Sequence, residues 1–170
     1  LADTESPQGV LLGCQERSAS LEAIKSTRVL VADAIGDPGN LGALVRSAAA
    51  FGVSAVVALD GTVDPWNPKV VRASAGYIMR VAMLRAHWAE LDAWRATRNL
   101  ELLVAERGGD VPGPSPRGWM LVIGSEPRGI REEIRERADQ RIAIPMGRDI
   151  DSLNAAVAGS ILMYALTVRS

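Results

Sequence analysis

The sequence predicts an α/β fold in which a parallel sheet is covered by helices on both faces. Short aliphatic or β-branched runs recur along the 170 residues, and most are followed by a helical pattern. Strands of a parallel sheet are buried on both sides, so they read as continuous apolar runs alternating with helices. Glycine, proline and polar residues gather just after several of these runs. In such sheets that edge binds ligands.

The first strand and helix have the strongest patterns. Arg28–Asp33 is an apolar run with polar ends, which predicts a buried strand. Asn40 can cap the start of the helix that follows, and Gly52 can end it. Residues 54–59 form a second apolar run and predict a second strand. One face of the predicted helix carries Leu41, Leu44, Val45, Ala48 and Ala49.

The remaining elements follow from the same patterns. They are a turn at 64–68 with a short helix after it, a strand within 77–84, a helix over 87–98, a strand over 100–105, a loop over 108–116, strands over 119–123 and 141–144 with a helix over 131–138 between them, and a closing helix over 153–168. Glycine and proline dominate the loop and argue against a helix or central strand there. We predict one domain over 28–170, preceded by a leader arm over 1–27.

Composition describes a soluble globular protein, with 48% hydrophobic and 23% charged residues. No apolar run reaches the roughly 18–20 residues that span a bilayer, and no secretion-signal pattern opens the sequence, so we expect a cytoplasmic protein. The single cysteine, Cys14, cannot form an internal disulfide and has no metal-ligand cluster around it. The net charge of −1 argues mildly against an RNA partner. Lys69, Arg72 and Arg80 nevertheless form a local basic cluster.

Three segments gather polar residues and glycine at predicted strand ends. The first runs from Asp33 to Gly42, with Arg46 in the helix beyond it. It can be an ordinary turn with a solvent-facing arginine, or a loop that meets a polar substrate at a helix N-terminus. The second, Gly124–Gly129, can be a turn or a close ligand contact, and it lacks the P-loop lysine. The third spans 144–154, where Ser152 can cap the closing helix.

Together these segments resemble the SpoU (TrmH) family of RNA ribose methyltransferases, within the SPOUT superfamily. Residues 37–42 with Arg46 and Phe51-Gly52 are similar to the first family motif, 123–126 with Gly129 to the second, 144–154 to the third, and 67–76 to a segment between the first two. Two departures concern the second loop. Ser125 replaces a frequent asparagine, and Pro127-Arg128 replaces a common glycine-containing pair.

The resemblance implies a C-terminal deep trefoil knot whose loops bind S-adenosylmethionine. By resemblance, the cofactor contacts are Ala105, Gly124, Ser125, Ile144, Met146 and Leu153; the apolar members can instead be core residues. Arg46 is the residue nearest the catalytic role. Because arginine keeps its proton at ordinary pH, we expect it to hold the adjacent phosphate and stabilise a developing alkoxide. The residues expected to orient Arg46 and the substrate are Asn40, Glu126, Ser152 and Asn154.

Further implications concern RNA and oligomeric state. Lys69 and Arg72 are candidate contacts to RNA phosphates, against solvated surface charge. His87 reads as a surface or helix-cap histidine. Family members act as homodimers through the final helix, and an apolar stripe here is compatible with either core or interface. That stripe comprises Leu153, Val157, Ile161 and Tyr164.

The expected function is S-adenosylmethionine-dependent 2'-O-methylation of RNA ribose, with ribosomal RNA as the favoured substrate. The leader around residues 4–10 resembles a stretch that joins an N-terminal RNA-binding domain to the catalytic one in this family, so we expect such a domain to be missing here. One alternative is a tRNA substrate. Another is a non-catalytic RNA-binding or assembly module. A nucleotide-binding Rossmann enzyme is disfavoured, because the glycine fingerprint is absent after the first strand.

Overall fold

A six-stranded parallel sheet organises the part of the chain that the computed structural model describes, which is Gly9, Gly13 and residues 15–16, 19–125, 128–147 and 152–168. The strands are β1 Arg28–Asp33, β2 Ala55–Ala58, β3 Ala82–Arg85, β4 Glu101–Asp110, β5 Trp119–Gly124 and β6 Gln140–Ile142. They lie in the order β3-β2-β1-β5-β4-β6, and every neighbouring pair is parallel. The predicted parallel sheet is therefore confirmed.

Helices cover both faces of the sheet. They are α1 Pro38–Ala50, α2 Pro68–Ala73, α3 Trp88–Thr97, α4 Glu132–Arg135 and α5 Ala155–Thr167, with short 3-10 helices at Leu21–Ala23 and Tyr77–Arg80. Alternate residues of β1 point to opposite faces. Leu30 packs with α1, α2 and α5, whereas Val29 and Val31 pack with α3 and α4. Two separate apolar clusters result, one on each face.

Helix α1 begins earlier than the sequence pattern indicated. Asp37, not Asn40, is the N-cap residue, and its Oδ1 accepts a hydrogen bond from the Asn40 amide at 2.7 Å. Pro38 at the first helical position has no N–H to satisfy, so it suits this place. Gly52 follows the C-cap with φ +70°, which confirms its predicted role in ending the helix.

Strand β4 corrects the predicted loop at 108–116. It continues to Asp110, which pairs with Ile142 after a register shift. A Cβ on Gly109 would lie 2.5 Å from the backbone carbonyl carbon of Arg141, so only glycine permits this close approach. Here glycine marks a close pass between two strands rather than a loop. Strand β6 correspondingly ends at Ile142, two residues before the prediction.

Three further elements differ from their predicted bounds. Residues 77–80 form a 3-10 helix before β3, after a turn in which Ala75 and Gly76 have φ of +50° and +81°. Helix α5 begins at Ala155 with Asn154 as its N-cap, so Ser152 is not the cap. The predicted helix over 131–138 is confined to α4, a single turn.

The described residues before β1 pack against the domain. Leu21 and Ile24 are 5% and 3% exposed and belong to the apolar cluster beneath α3. The packed part of the chain thus begins at least as early as Leu21. No helix among the described residues is long and apolar enough to cross a membrane. The trefoil knot expected from the resemblance stays a prediction.

Candidate active site

The carboxyl ends of β1 and β5 lie side by side in the centre of the sheet, and a cleft opens above them. Asp33 and Gly124 are paired at the last position of the two strands. The cleft has a volume of about 430 Å³. Its walls come from three loops and two helix starts: Ala34, Ile35, Gly36, Asp37, Asn40, Gly61, Ser125, Arg128 and Ala155. This central cleft brings the first and second sequence segments together at the edge where parallel sheets bind ligands.

Two asparagines connect the first segment to the third. Asn154 Nδ2 donates a hydrogen bond to Asn40 Oδ1 at 2.8 Å, although the residues are 114 positions apart. Asn154 Oδ1 accepts from the amides of Ala156 and Val157 at 2.9 and 3.2 Å, which caps α5. Since that oxygen faces the helix, the NH₂ group must face Asn40. The cap therefore sets which atoms of this pair meet.

A second cavity of about 200 Å³, here the C-terminal pocket, lies between the end of β4, the segment after β6 and the start of α5. It contains four of the six residues expected to contact the cofactor, which are Ala105, Ile144, Met146 and Leu153. Ser152 lines it as well. An adjoining cavity of about 270 Å³ shares Arg107, Gly108 and Ile144 with it. The expected cofactor residues thus converge although they are spread over 49 positions of the chain.

Glu106 gives this pocket a carboxylate that the sequence analysis missed. Its side chain is 24% exposed and pairs with Arg135, and its Oε2 lies 3.6 Å from Arg141 Nε. The hydrogen bond and charge of Glu106 raise the pKa of Arg135. The sequence offered one signal for it: Glu106 directly follows Ala105, a predicted cofactor contact at the end of a predicted strand. The C-terminal pocket is therefore mainly apolar, with one acidic wall.

Gly124 and Ser125 are not in the C-terminal pocket. A Cβ on Gly124 would lie 2.3 Å from the Gly129 carbonyl carbon, so this strand end must be glycine for the next loop to fold back. Ser125 accepts through its carbonyl from the Gly129 amide at 2.8 Å. Ser125 lines the central cleft, and its buried hydroxyl has no hydrogen-bond partner among the described residues. A cofactor contact by these two residues stays a prediction.

Arg46 and the two candidate RNA-binding residues, Lys69 and Arg72, are exposed on helices. Arg46 lies on α1, about 9 Å along the helix axis from Asn40. Gly42, one turn earlier on the same side, packs against Ala73 of α2. Lys69 and Arg72 are exposed on α2, the helix that packs against α1. Glu126, together with the neighbouring Pro127 and with Asp151, lies outside the described residues.

An ion pair at the carboxyl end of β1 also escaped the sequence analysis. Asp33, 1% exposed, accepts from the Arg131 amide at 2.9 Å and from its Nε at 2.8 Å. Arg131 Nη2 also donates to the Asp60 carbonyl at 2.9 Å. Burial lowers the pKa of Arg131, but the hydrogen bond and charge of Asp33 outweigh it and raise that pKa overall. The Arg131 side chain, which follows β5, therefore connects the carboxyl ends of β1 and β2, and the loops after all three strands line the cleft.

Comparison with known proteins shows the family of the chain. A model of the SpoU rRNA Methylase family matches residues 27–164. The chain belongs to the SpoU rRNA methylase family. It is 30% identical over 169 residues to the 23S rRNA (guanosine(2553)-2'-O)-methyltransferase RlmP of Bacillus subtilis, covering 98% of this chain and 67% of that protein. Family membership confirms the resemblance drawn from the three segments.

Solved structures of methyltransferases have the same fold. An AdoMet-bound rRNA methyltransferase from Sinorhizobium meliloti superposes with a TM-score of 0.81 at 27% identity, over 89% of this SpoU chain and 60% of the other. The SpoU methyltransferase AviRb from Streptomyces viridochromogenes, in complex with AdoMet, gives 0.80 at 26% identity over 88% and 64%. This chain thus spans about 60–67% of the length of these three relatives.

Proposed function

We propose that this SpoU family member transfers a methyl group from S-adenosylmethionine to a ribose 2'-hydroxyl of ribosomal RNA. The observation that carries the proposal is that the first and second segments line the central cleft and the third lines the C-terminal pocket, while Asn40 of the first segment accepts a hydrogen bond from Asn154 of the third. Its cellular setting would be the cytoplasm. Support for ribosomal RNA comes from RlmP, whose name specifies 23S rRNA.

The residues of the C-terminal pocket suit S-adenosylmethionine. Ile144, Met146 and Leu153 offer apolar walls for an adenine ring, and Gly108 leaves open space beside them. Glu106 provides an anionic group in the same wall, where ribose hydroxyls or the ammonium group of the methionine end can be held. Bound there, the cofactor supplies a methyl group on a positive sulfur, which is an electrophilic carbon with a neutral leaving group.

The chain's own residues must make a poor nucleophile react. A ribose hydroxyl attacks well only if its developing negative charge is stabilised or its proton is accepted. Asn40 lines the central cleft next to Asn154, so their amides are placed to orient the sugar. Arg46, further along α1, supplies a fixed positive charge for the neighbouring phosphate and the alkoxide. Ser152 lines the cofactor side and completes the polar set.

We also propose that the enzyme is a homodimer through α5. Val157, Ile161, Tyr164 and Val168 recur at helical spacing and are each 41–53% exposed. Phe51 of α1 adjoins this stripe, with its ring 5.7 Å from that of Tyr164. Leu153 is not part of the exposed stripe, because it lines the C-terminal pocket. Sedimentation of the wild type should give twice the mass of one chain, and sedimentation of Ile161→Glu should give the mass of a single chain. A monomeric wild type would disprove the dimer.

The test of function is methyl transfer from tritiated S-adenosylmethionine to transcribed bacterial 23S rRNA, with tRNA in parallel. Label should enter the ribosomal RNA, and the modified linkage should resist alkali. Label in tRNA alone would change the assigned substrate. Label in neither RNA would contradict the enzyme assignment.

Arg46→Ala separates catalysis from cofactor binding. We expect transfer to fall at least a hundredfold, in the range seen when one preorganised electrostatic contact is removed, while the calorimetric Kd for S-adenosylmethionine changes less than about threefold. Arg98→Ala, on the surface near α3, is the matched control and should keep wild-type activity. Full activity of Arg46→Ala would disprove its role.

A further inference from the structure

A groove of about 320 Å³ lies at the start of the edge strand β3, away from the cavities of the active site. Its walls include Trp66, Ile78, Met79, Arg80, Val81 and Met83. Met79 is 60% exposed and Tyr77 is 37% exposed. Large apolar side chains left open in this way commonly mark a binding surface. We call the surface formed by this groove, with Trp66 and the 3-10 helix Tyr77–Arg80, the β3 groove.

The chain around the groove is unusually basic for this protein. Residues 65–89 contain Lys69, Arg72, Arg80 and Arg85 and no Asp or Glu, although the whole chain has a net charge of −1. Arg85 is neutralised by ion pairs with Asp64 and Glu16. The other three make no ion pair with any described carboxylate. Unpaired surface cations of this kind attract a polyanion.

Arg80 and Tyr77 are arranged as a stacking platform. The Arg80 guanidinium carbon lies 5.5 Å from the centre of the Tyr77 ring. The turn at Ala75 and Gly76, both with positive φ, directs the chain from α2 into this short helix. An aromatic ring paired with a guanidinium group is a combination that binds unpaired bases and their phosphates.

We propose that the β3 groove binds a single-stranded segment of the RNA substrate. The proposal rests on the proposed function for its substrate, and it adds a contact site outside the three family motifs. An unpaired base stacks against the Tyr77–Arg80 platform or the apolar wall at Met79, and the Arg80 guanidinium contacts a phosphate. A second copy of the chain fits less well, because two identical basic surfaces repel each other.

The experiment measures binding of a fluorescein-labelled 12-nucleotide oligouridylate by the whole chain without cofactor, at several salt concentrations. Arg80→Glu should weaken binding at least tenfold. It should also reduce the slope of log K against log salt by about 0.7 or more, the value for one phosphate contact on a single strand. Tyr77→Ala should weaken binding about tenfold, whereas Tyr77→Phe, which keeps the ring, should stay within about twofold.

Arg98→Glu is the matched control, since Arg98 lies 4.9 Å from the Trp94 ring centre in a second cation–aromatic pair. It makes the same charge change on a different surface, and we expect a Kd within about twofold of wild type. The proposal is overturned if Arg80→Glu binds as tightly as Arg98→Glu, if wild type does not bind the oligonucleotide, or if Arg80→Glu dissociates a dimer in sedimentation. Oligonucleotide binding without methyl transfer would refute the proposed function alone.

Discussion

Removing the guanidinium of Arg131 should destabilise the domain because it leaves a buried carboxylate almost alone. Asp33 has a side chain only 2% exposed, and Arg131 Nη2 and Nε lie 2.6 and 2.8 Å from its Oδ1. In Arg131→Met, only the backbone amide at position 131 still donates to Asp33. Taking one partner from a buried pair costs about 3–5 kcal/mol. In a chain of this size each kcal/mol shifts Tm by about 2–4 °C, so Tm should fall by about 6–20 °C.

The assay is thermal and urea unfolding followed by circular dichroism. Arg137→Met is the control from the same segment, because Arg137 Nη1 donates to Asp92 at 2.6 Å. The Arg137 side chain is 64% exposed and Asp92 retains Arg95, so we expect a loss below about 1 kcal/mol. Adding Asp33→Asn to Arg131→Met should recover at least half of the lost stability, because a neutral amide costs less to bury than a charge.

A loss of less than about 1 kcal/mol in Arg131→Met would refute this reasoning. So would a double variant as unstable as the single one, because the penalty would then come from lost packing of the arginine stem rather than from the charge of Asp33. The double variant thus distinguishes the two causes.

Three other perturbations test separate parts of the structure. The hydrogen bond and charge of Asp60 raise the pKa of His87, so the stabilising effect of the His87–Asp60 pair is present below about pH 6.5 and lost as pH rises through the pKa of the folded state. NMR titration of this single histidine should give a pKa above about 6.5 that falls in Asp60→Asn. A wild-type pKa below about 6.5 would contradict the expectation. Asn154→Ser keeps a capping oxygen for α5 but has no NH₂ donor for Asn40. The free energy of unfolding should therefore change by less than about 0.5 kcal/mol, while the rate of methyl transfer falls. An unchanged rate would remove the Asn40–Asn154 pair from the mechanism. Gly124→Ala should lower the free energy of unfolding by about 1–3 kcal/mol and abolish methyl transfer, because the new Cβ would lie 2.3 Å from the Gly129 backbone. Wild-type stability of this variant would show that the loop can shift freely.

Local patterns were sufficient where one element decides its own structure. Strand β1 has the predicted bounds, because an apolar run buried on both faces has no competing conformation. Gly52 ends α1 as expected because its positive φ favours glycine. The start of α1 was misplaced, although the Asp37-Pro38 pair carries the usual signal of an N-cap followed by proline at the first helical position.

Other features depend on residues far apart in the chain. Ser152 and Asn154 are both acceptable caps for α5 by residue type, and Asn154 is also the one that bonds Asn40 across the site. Gly109 belongs to a strand only because Arg141 passes within contact distance. The Asp33–Arg131 pair spans 98 positions. No periodicity in a single sequence indicates such partners.

The order of the strands explains how three distant segments become one site. Strands β1 and β5 are neighbours, so the first and second segments emerge side by side at the carboxyl edge. The third segment reaches them only because α5 packs on α1, where Gly159 admits Leu44 and Ser160 Oγ lies 2.6 Å from Ser47 Oγ. An α5 that did not dock would leave Asn40 without Asn154 and the C-terminal pocket without one wall. Formation of the candidate site is therefore coupled to docking of the last helix, so we expect substitutions that disrupt the α1–α5 contact to reduce methyl transfer even though they change no polar residue of the site.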